Sequence, residues 1–490
     1  MKLKIDGDIN QSYVQNLCLM FFPCEKFSES EEETDETPKA YVKLDRLEKG
    51  YRAKVILTVL EKQEESTVFV ADNPLYKDRN IAQMAVGGAF YEAGSRMSKY
   101  NPPWGILVGI RPGKVAMRLY EQLGSKMAVR RALVSDYLLT PKKAQLITNV
   151  ALNEEKILQK YGKDTCSLYI SIPFCPTRCA YCSFISYATP RLLSLIPDYL
   201  LRLKTDISQT VEVIRQKGQR ISTVYIGGGT PTTLNEAQLR DLLSFISTQI
   251  EVSALDEYTL EGGRPDTIPP EKLEIAKEYG VTRVSINPQT LNDDILRGIG
   301  RKHSSDDFFR AYYQARKSGI PAINTDIIAG LPGDSFSSFS KTVDQIAELH
   351  PENITVHTFF VKKASDILHS GVNVTSRNSL EAVKCVDYAQ LVAAEEGYHP
   401  YYLYRQKNTV GNLENVGFSL EGYDGIYNCL IMAETQDIYA CGAGAVTKLV
   451  SAEEKRIRRF YMPKYPYEYL DMALDSPERK QIFENILQFQ

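Results

Sequence analysis

Residues 167–184 read SLYISIPFCPTRCAYCSF, and the class of fold is decided in this stretch. SLYISI has the aliphatic and aromatic content of a buried strand and is stopped by Pro173. Cys175, Cys179 and Cys182 follow at once in the spacing C-x3-C-x2-C. Three thiolates this close can hold one soft metal centre, since thiolate is the ligand of iron–sulfur clusters and of zinc. A structural zinc needs a fourth protein ligand, usually a nearby Cys or His. No histidine lies between Cys166 and Gly300, and Cys166 precedes the strand, which puts it near that strand's far end. Three ligands with one open position suit a four-iron cluster whose fourth iron binds something else.

Outward from this point, short apolar runs alternate with amphipathic helical stretches. The strand candidates are SLYISIP, TVYIGGG, YTLEGG, RVSINPQ, INTDIIAG and NITVHTF. Between them lie stretches such as residues 198–218, 234–250, 270–280 and 306–319, with helical spacing of apolar residues. Six βα repeats predict an α/β fold with a parallel sheet, either open and doubly wound or a partial barrel. In both, chemistry sits at the strand ends and in the loops after them. The second strand ends in YIGGGTPT, placing Gly227, Gly228 and Gly229 before Thr230 and Pro231. Glycines let the backbone approach a ligand closely, and one βα unit after the cysteines they point to a shared site.

The flanking regions carry less chemistry. Residues 1–163 read as a separate α+β domain, with YVKLDRL and RAKVILTVL as strands, residues 81–97 as a helix and a Gly-Ile-Arg-Pro-Gly turn at 109–113. The acidic run Glu29–Glu36 reads as a solvated loop. After about Pro400 the pattern is less regular and predicts a C-terminal extension, residues 401–490. The 490 residues are 43% hydrophobic and 24% charged, too apolar for global disorder. Lys+Arg 58 against Asp+Glu 61 leaves −3, so no overall basic charge points to nucleic acid. No run of about 18 apolar residues predicts a membrane span. The first residues lack the apolar core of a signal peptide, so the expected compartment is the reducing cytoplasm, where clustered cysteines serve metal or redox chemistry.

C-x3-C-x2-C followed by GGGTP resembles the radical S-adenosylmethionine (SAM) enzymes. The wider pattern is similar to the oxygen-independent coproporphyrinogen III oxidase (coproporphyrinogen dehydrogenase) family, in its HemZ-type branch. YISIPFCPTRCAYC, YIGGGTPT, TLEGG, TRVSINPQTLNDDILRGIGRKH and NTDIIAGLPGD match that family's blocks in order, over about Tyr169 to Leu331. The resemblance implies a partial (β/α)6 barrel at 164–400 and a substrate-covering role for 401–490. It implies a [4Fe–4S] cluster on Cys175, Cys179 and Cys182, with S-adenosyl-L-methionine on the open iron. Tyr169, Tyr181, Gly228, Gly229, Thr230 and Glu261 fall at positions that line this cofactor. Gln289, Arg301, Asp326 and Ile328 fall where a second molecule binds in the oxidase.

The implied reaction is oxidative decarboxylation. An external one-electron donor, flavodoxin- or ferredoxin-like, reduces the cluster, and SAM is cleaved to methionine and a 5′-deoxyadenosyl radical. The radical takes hydrogen from a propionate β-carbon, and loss of carbon dioxide and an electron leaves a vinyl group. Two rounds turn the tetrapyrrole coproporphyrinogen III into protoporphyrinogen IX. Four departures stand out: Ser171 replaces a histidine, Ser183-Phe184 replaces Gly-Cys, Phe360 stands where a small residue borders the second cofactor, and Gly-Gly-Arg-Pro-Asp follows Glu261. For the substrate's carboxylates the candidates are Arg301 and the basic stretch Lys455, Arg456, Arg458, Arg459 and Lys464, which also reads as a solvated face. Residues 440–449, ACGAGAVTKL, resemble the family's glycine-rich loop near the substrate. The alternatives are a haem chaperone, whose His-Asn-x-x-Tyr-Trp motif is missing from RQKNTVGNLENVG at 405–417, and a radical methyltransferase.

Overall fold

The computed structural model describes residues 1–23, 25–27, 37–109, 111–182, 187–360, 376–406, 409–451 and 456–489. Glu29–Glu36, Ile110, Ser183-Phe184 and Lys455, all singled out by the sequence, lie outside the described residues. The chain forms two compact units. One is Met1–Leu152 with Val374–Val383 and Leu403–Asn415; the other is Asn153–Asn373, Lys384–Tyr402 and Val416–Gln490.

In the first unit, β1 (Lys2–Asp6), β2 (Lys39–Leu47), β3 (Gly50–Val59) and β4 (Lys62–Ala71) form a sheet in chain order. β1 runs parallel to β2, and β2, β3 and β4 are antiparallel. Val42, Val55 and Leu57 on the sheet share one core with Val14 and Leu17 of the helix Gln11–Phe21 and Phe90 of the helix Asp78–Ser98. The small residues of the longer helix let the two helices approach: a Cβ on Gly94 would stand 2.5 Å from the Phe21 ring. Leu403–Asn415 belongs to this unit through a buried polar knot. Glu414 accepts from Lys143 Nζ at 2.7 Å and from Trp104 Nε1 at 2.6 Å. Arg405 lies 5.0 Å from the Trp104 ring centroid and donates to the carbonyls of Leu107 and Asn412.

The second unit is built on β5 (Thr165–Ile172), β6 (Arg220–Gly228), β7 (Glu257–Glu261), β8 (Arg283–Ser285), β9 (Ala322–Ala329) and β10 (Asn353–Thr358). All neighbours are parallel and the order is strictly sequential. A doubly wound sheet reverses its order at a switch point. Here nothing reverses, so right-handed crossovers carry every connecting helix to one face, as in a barrel. The fold is α/β, a partial (β/α)6 barrel. Leu168, Ile170, Val224, Ile226, Leu260 and Ile323 face the helices and are fully buried; each such side chain contributes about 1.5–3 kcal/mol.

The opposite face is polar. Period-2 alternation sets Tyr169, Tyr225 and Thr259 side by side across β5–β7. Glu261, Ser285, Asn324 and Asn353 form the next row, and Asp326 beside Thr355 the one after. Polar rows on a core-facing surface mark the face reserved for ligands.

Residues after 398 supply both flanks of this sheet. β11 (His399–Arg405) and β12 (Glu414–Ser419) extend it beyond β10, and β13 (Asp437–Cys441), β14 (Val446–Ser451) and β15 (Arg456–Tyr461) beyond β5. The helix Ile426–Ala433 lies beneath the polar face. Glu257 caps its amino end, accepting from Ile426 N at 2.8 Å, and Tyr427 stacks on Tyr225 at 4.7 Å. The final helix, Pro477–Gln488, is tied to the helix Ile196–Gln216 by Asp206, which accepts from Arg479 and from Tyr469 OH at 2.5 Å. Both ions are buried, so Asp206→Ala strands a buried guanidinium. It is expected to cost about 3–5 kcal/mol, measured as a lowered urea midpoint with an unchanged slope.

Candidate functional site

The cysteine loop leaves β5 at Pro173 and is fixed at several points. Tyr187 N donates to Pro173 O at 2.9 Å and Cys175 N to Tyr187 O at 3.0 Å. Cys182 N donates to Cys179 O at 3.1 Å, closing a turn, and Ala180 N donates to Ile299 O at 3.1 Å. Tyr181 OH accepts from Arg301 Nε at 3.2 Å. Cys175 is buried, whereas Cys179 and Cys182 are half-buried. Among the described residues no group of three His, Cys, Asp or Glu side chains gathers around a single-ion position.

The glycine turn wraps the buried end of this loop. Gly229 N donates to Ile172 O and Thr230 N to Phe174 O, both at 2.8 Å. Cys175 Sγ and Thr230 Oγ1 stand 3.2 Å apart. Gly228 holds φ at +118°, and a Cβ on Gly229 would lie 2.6 Å from Phe174 O and 3.0 Å from Cys175 Sγ. Only glycine admits this contact. Three thiols of soft character on one loop, with a side-chain-free cradle against the first, fit an iron–sulfur cluster with an adjoining small cofactor.

Two carboxylates stand on the polar face in contrasting states. Glu261, at the end of β7, is pushed up to about 8 by burial and then by the charge of Asp326, against a hydrogen bond from the Gly228 backbone. Burial acts on Asp326 in the same direction, but His357, Asn324 and Thr355 more than offset it and hold it below the usual carboxylate range. Asn287 Nδ2 and Asn324 Nδ2 each donate to Asp326 at 2.8 Å, and His357 Nε2 stands 3.7 Å from it. Protein partners thus satisfy this buried carboxylate.

Gln289, Asp326 and Ile328 are brought together by backbone. Gln289 N donates to Asp326 O at 3.0 Å and Ile328 N to Gln289 O at 2.9 Å, with Gln289 at φ +68°. Arg301 joins them through Asn287 O, to which its Nη1 donates at 2.8 Å. With Nε on Tyr181, much of its donor set is spent inside the protein. Tyr169 stacks with Tyr225 at 6.0 Å, deeper on the same face. Ser171 donates to Ala443 O at 2.9 Å, which sets the 440–449 loop against the end of β5. The basic stretch from Arg456 forms the outer strand β15, where Arg459 pairs with Glu434 at 3.0 Å. Cys441 packs in the core and donates to Thr210 Oγ1 at 3.2 Å.

Several residues of the site were not picked out by the sequence. Asn287 links Arg301 to Asp326; its signal was an amide inside the apolar run RVSINPQ. Arg264, in the Gly-Gly-Arg-Pro-Asp departure, donates to Thr177 Oγ1 of the cysteine loop at 2.6 Å. His303 is buried, and burial and then the charge of Arg301 drive it down to about 4, against the charge of Asp266 and a hydrogen bond with the Pro288 backbone.

A partial barrel with three cysteines after its first strand and a glycine turn after its second defines a class, and the family model of the Radical SAM superfamily matches residues 169–346. The chain belongs to that superfamily and, within it, to the oxygen-independent coproporphyrinogen-III oxidase-like family of the HemZ type. The HemZ protein of Bacillus subtilis (strain 168) is 38% identical over 390 residues, 78% of each chain. The heme chaperone HemW of the same organism is 36% identical over 197 residues, 40% of this chain and 51% of that one. Among solved structures, coproporphyrinogen III oxidase (HemN) from Escherichia coli aligns with a TM-score of 0.46 at 22% identity, over 61% of this chain and 67% of that one. The radical SAM family uses a [4Fe–4S] cluster and S-adenosylmethionine. No helix among the described residues is long and apolar enough to cross a membrane.

Glu261 gives a pH signature. Its carboxyl titrates near 8 when folded against about 4.3 when unfolded. The unfolded chain therefore releases this proton first, and the cofactor-free protein loses stability as pH rises from about 4.3 through 8. Glu261→Gln removes the charge, so its melting temperature is expected to fall less than that of the parent between pH 6 and pH 9.

Proposed function

We propose that this chain carries out the oxygen-independent oxidative decarboxylation of coproporphyrinogen III to protoporphyrinogen IX. One observation carries the reading: the three-cysteine loop and the glycine turn interlock, through Cys175 and Thr230, at the rim of a polar strand face. The likeness to HemZ over 78% of both chains supports the tetrapyrrole substrate.

When bound, the cluster and S-adenosylmethionine supply one-electron radical chemistry, while the protein binds, orients and excludes water. Cys175, Cys179 and Cys182 hold the cluster. Gly228 and Gly229 leave room beside it, and Thr230 and Tyr181 border it. Glu261, largely protonated at neutral pH before cofactor binds, meets ribose hydroxyls. Gln289, Arg301, Asp326 and Ile328 form the neighbouring wall, where a second cofactor molecule or the substrate sits. An external flavodoxin- or ferredoxin-like protein donates the electron. Residues 401–490 cover the substrate, and the protein works in the cytoplasm.

The test is anaerobic incubation with coproporphyrinogen III, a reductant and S-adenosylmethionine, followed by chromatography of the porphyrins. Protoporphyrin with a monovinyl intermediate is expected from the parent, and neither product from Cys175→Ala, Cys179→Ala or Cys182→Ala. Deoxyadenosine without any porphyrin product would discard the decarboxylation and keep the radical class. A second reading, haem carriage, draws on the 36% identity to HemW. Stoichiometric haem binding without turnover would favour it.

A further inference from the structure

The Gly-Gly-Arg-Pro-Asp turn after β7 is the departure that the proposed function leaves without a role. Its glycines bring the chain hard against β8: Gly263 N donates to Ser285 O at 3.0 Å, and a Cβ on Gly262 would stand 2.6 Å from that same oxygen. From there Arg264 runs inward, only 3% exposed. Asp266 takes its guanidinium in a two-pronged contact, Nε to Oδ1 and Nη2 to Oδ2, each at 3.0 Å. This neutralises the buried cation and locks the plane of the fork. Nη1 is thereby aimed at Thr177 Oγ1, 2.6 Å away, midway between Cys175 and Cys179.

The same turn also grips the glycine turn. Thr232 Oγ1 donates to Gly262 O at 2.9 Å and lies 2.6 Å from Thr267 Oγ1. Lys272 Nζ bonds the carbonyls of Thr232 and Thr267 at 2.8 and 3.2 Å. One turn therefore bridges the two loops of the site, with Arg264 as its contact to the cysteines.

We infer that Arg264, held by Asp266, is a positioning residue that fixes the cysteine loop through Thr177 and so sets how firmly the three thiolates keep their iron. Its side chain bonds Asp266 and Thr177, and it acts through the backbone between two cysteines. The inference rests on the reading that these cysteines hold a cluster.

The parent, Thr177→Val, Arg264→Gln and the double variant are reconstituted anaerobically with iron and sulfide. Bound iron is counted, and its release to a chelator is followed with no substrate present. Both single variants are expected to release iron on the order of tenfold faster, as when outer partners of metal ligands are removed. The double variant should be no faster than either alone, because both substitutions break one contact. Arg264→Lys, which keeps the charge and loses the fork, should resemble Arg264→Gln. Parent-like release from Thr177→Val, or additive effects in the double variant, would overturn the inference. Thr177→Val keeps the shape of a half-buried side chain, so this variant carries the test even if Arg264→Gln does not fold, with apoprotein melting temperature as the control. A parent that takes up no iron would instead sink the cluster reading itself.

Discussion

Everything in the second unit follows from six parallel strands that pair in the order of the chain. Parallel pairing needs a crossover for every strand, and right-handed crossovers in unbroken order stack the connecting helices on one side. The other side meets only the helix Ile426–Ala433, through Tyr427 against Tyr225, among the contacts described above. That asymmetry lets residues such as Glu261, Asn324 and Asp326 sit inside the fold without opposing an apolar layer. It also brings every strand's carboxyl end to one rim, where the cysteine loop, the glycine turn and the Arg264 turn follow three successive strands.

At that rim, polar groups are satisfied by one another. Asp326 is held ionised by His357, Asn324 and Thr355 against its burial, and its charge helps to keep Glu261 protonated. Opposite protonation states of neighbouring carboxyls give the site an acceptor and a donor at one pH. Arg264 and Arg301 bracket the cysteine loop at Thr177 and Tyr181, so a segment with no regular secondary structure keeps a defined path.

The sequence made the six strands and the cysteine loop legible because their signals are local: apolar runs ended by Gly or Pro, and ligands within eight positions. What it left unread is non-local. Arg264 and Thr177 are 87 positions apart, Asn287 and Asp326 are 39, and Ser171 and Ala443 are 272. No periodicity announces such pairs. The same holds for the C-terminal stretch, whose irregular texture hid strands that complete the sheet at both flanks. Choosing between an open sheet and a partial barrel likewise required the strand order, which the spacing of apolar runs does not contain.

The buried knot in the first unit has an optical consequence. Trp104 is the only tryptophan in the chain, and its indole donates to Glu414 while lying under the Arg405 guanidinium. Both partners arrive on a segment about 300 residues downstream. The protein's entire indole emission therefore reports on whether Leu403–Asn415 is seated. One unmodified fluorophore separates the seating of that returning segment from events among the thirty tyrosines elsewhere.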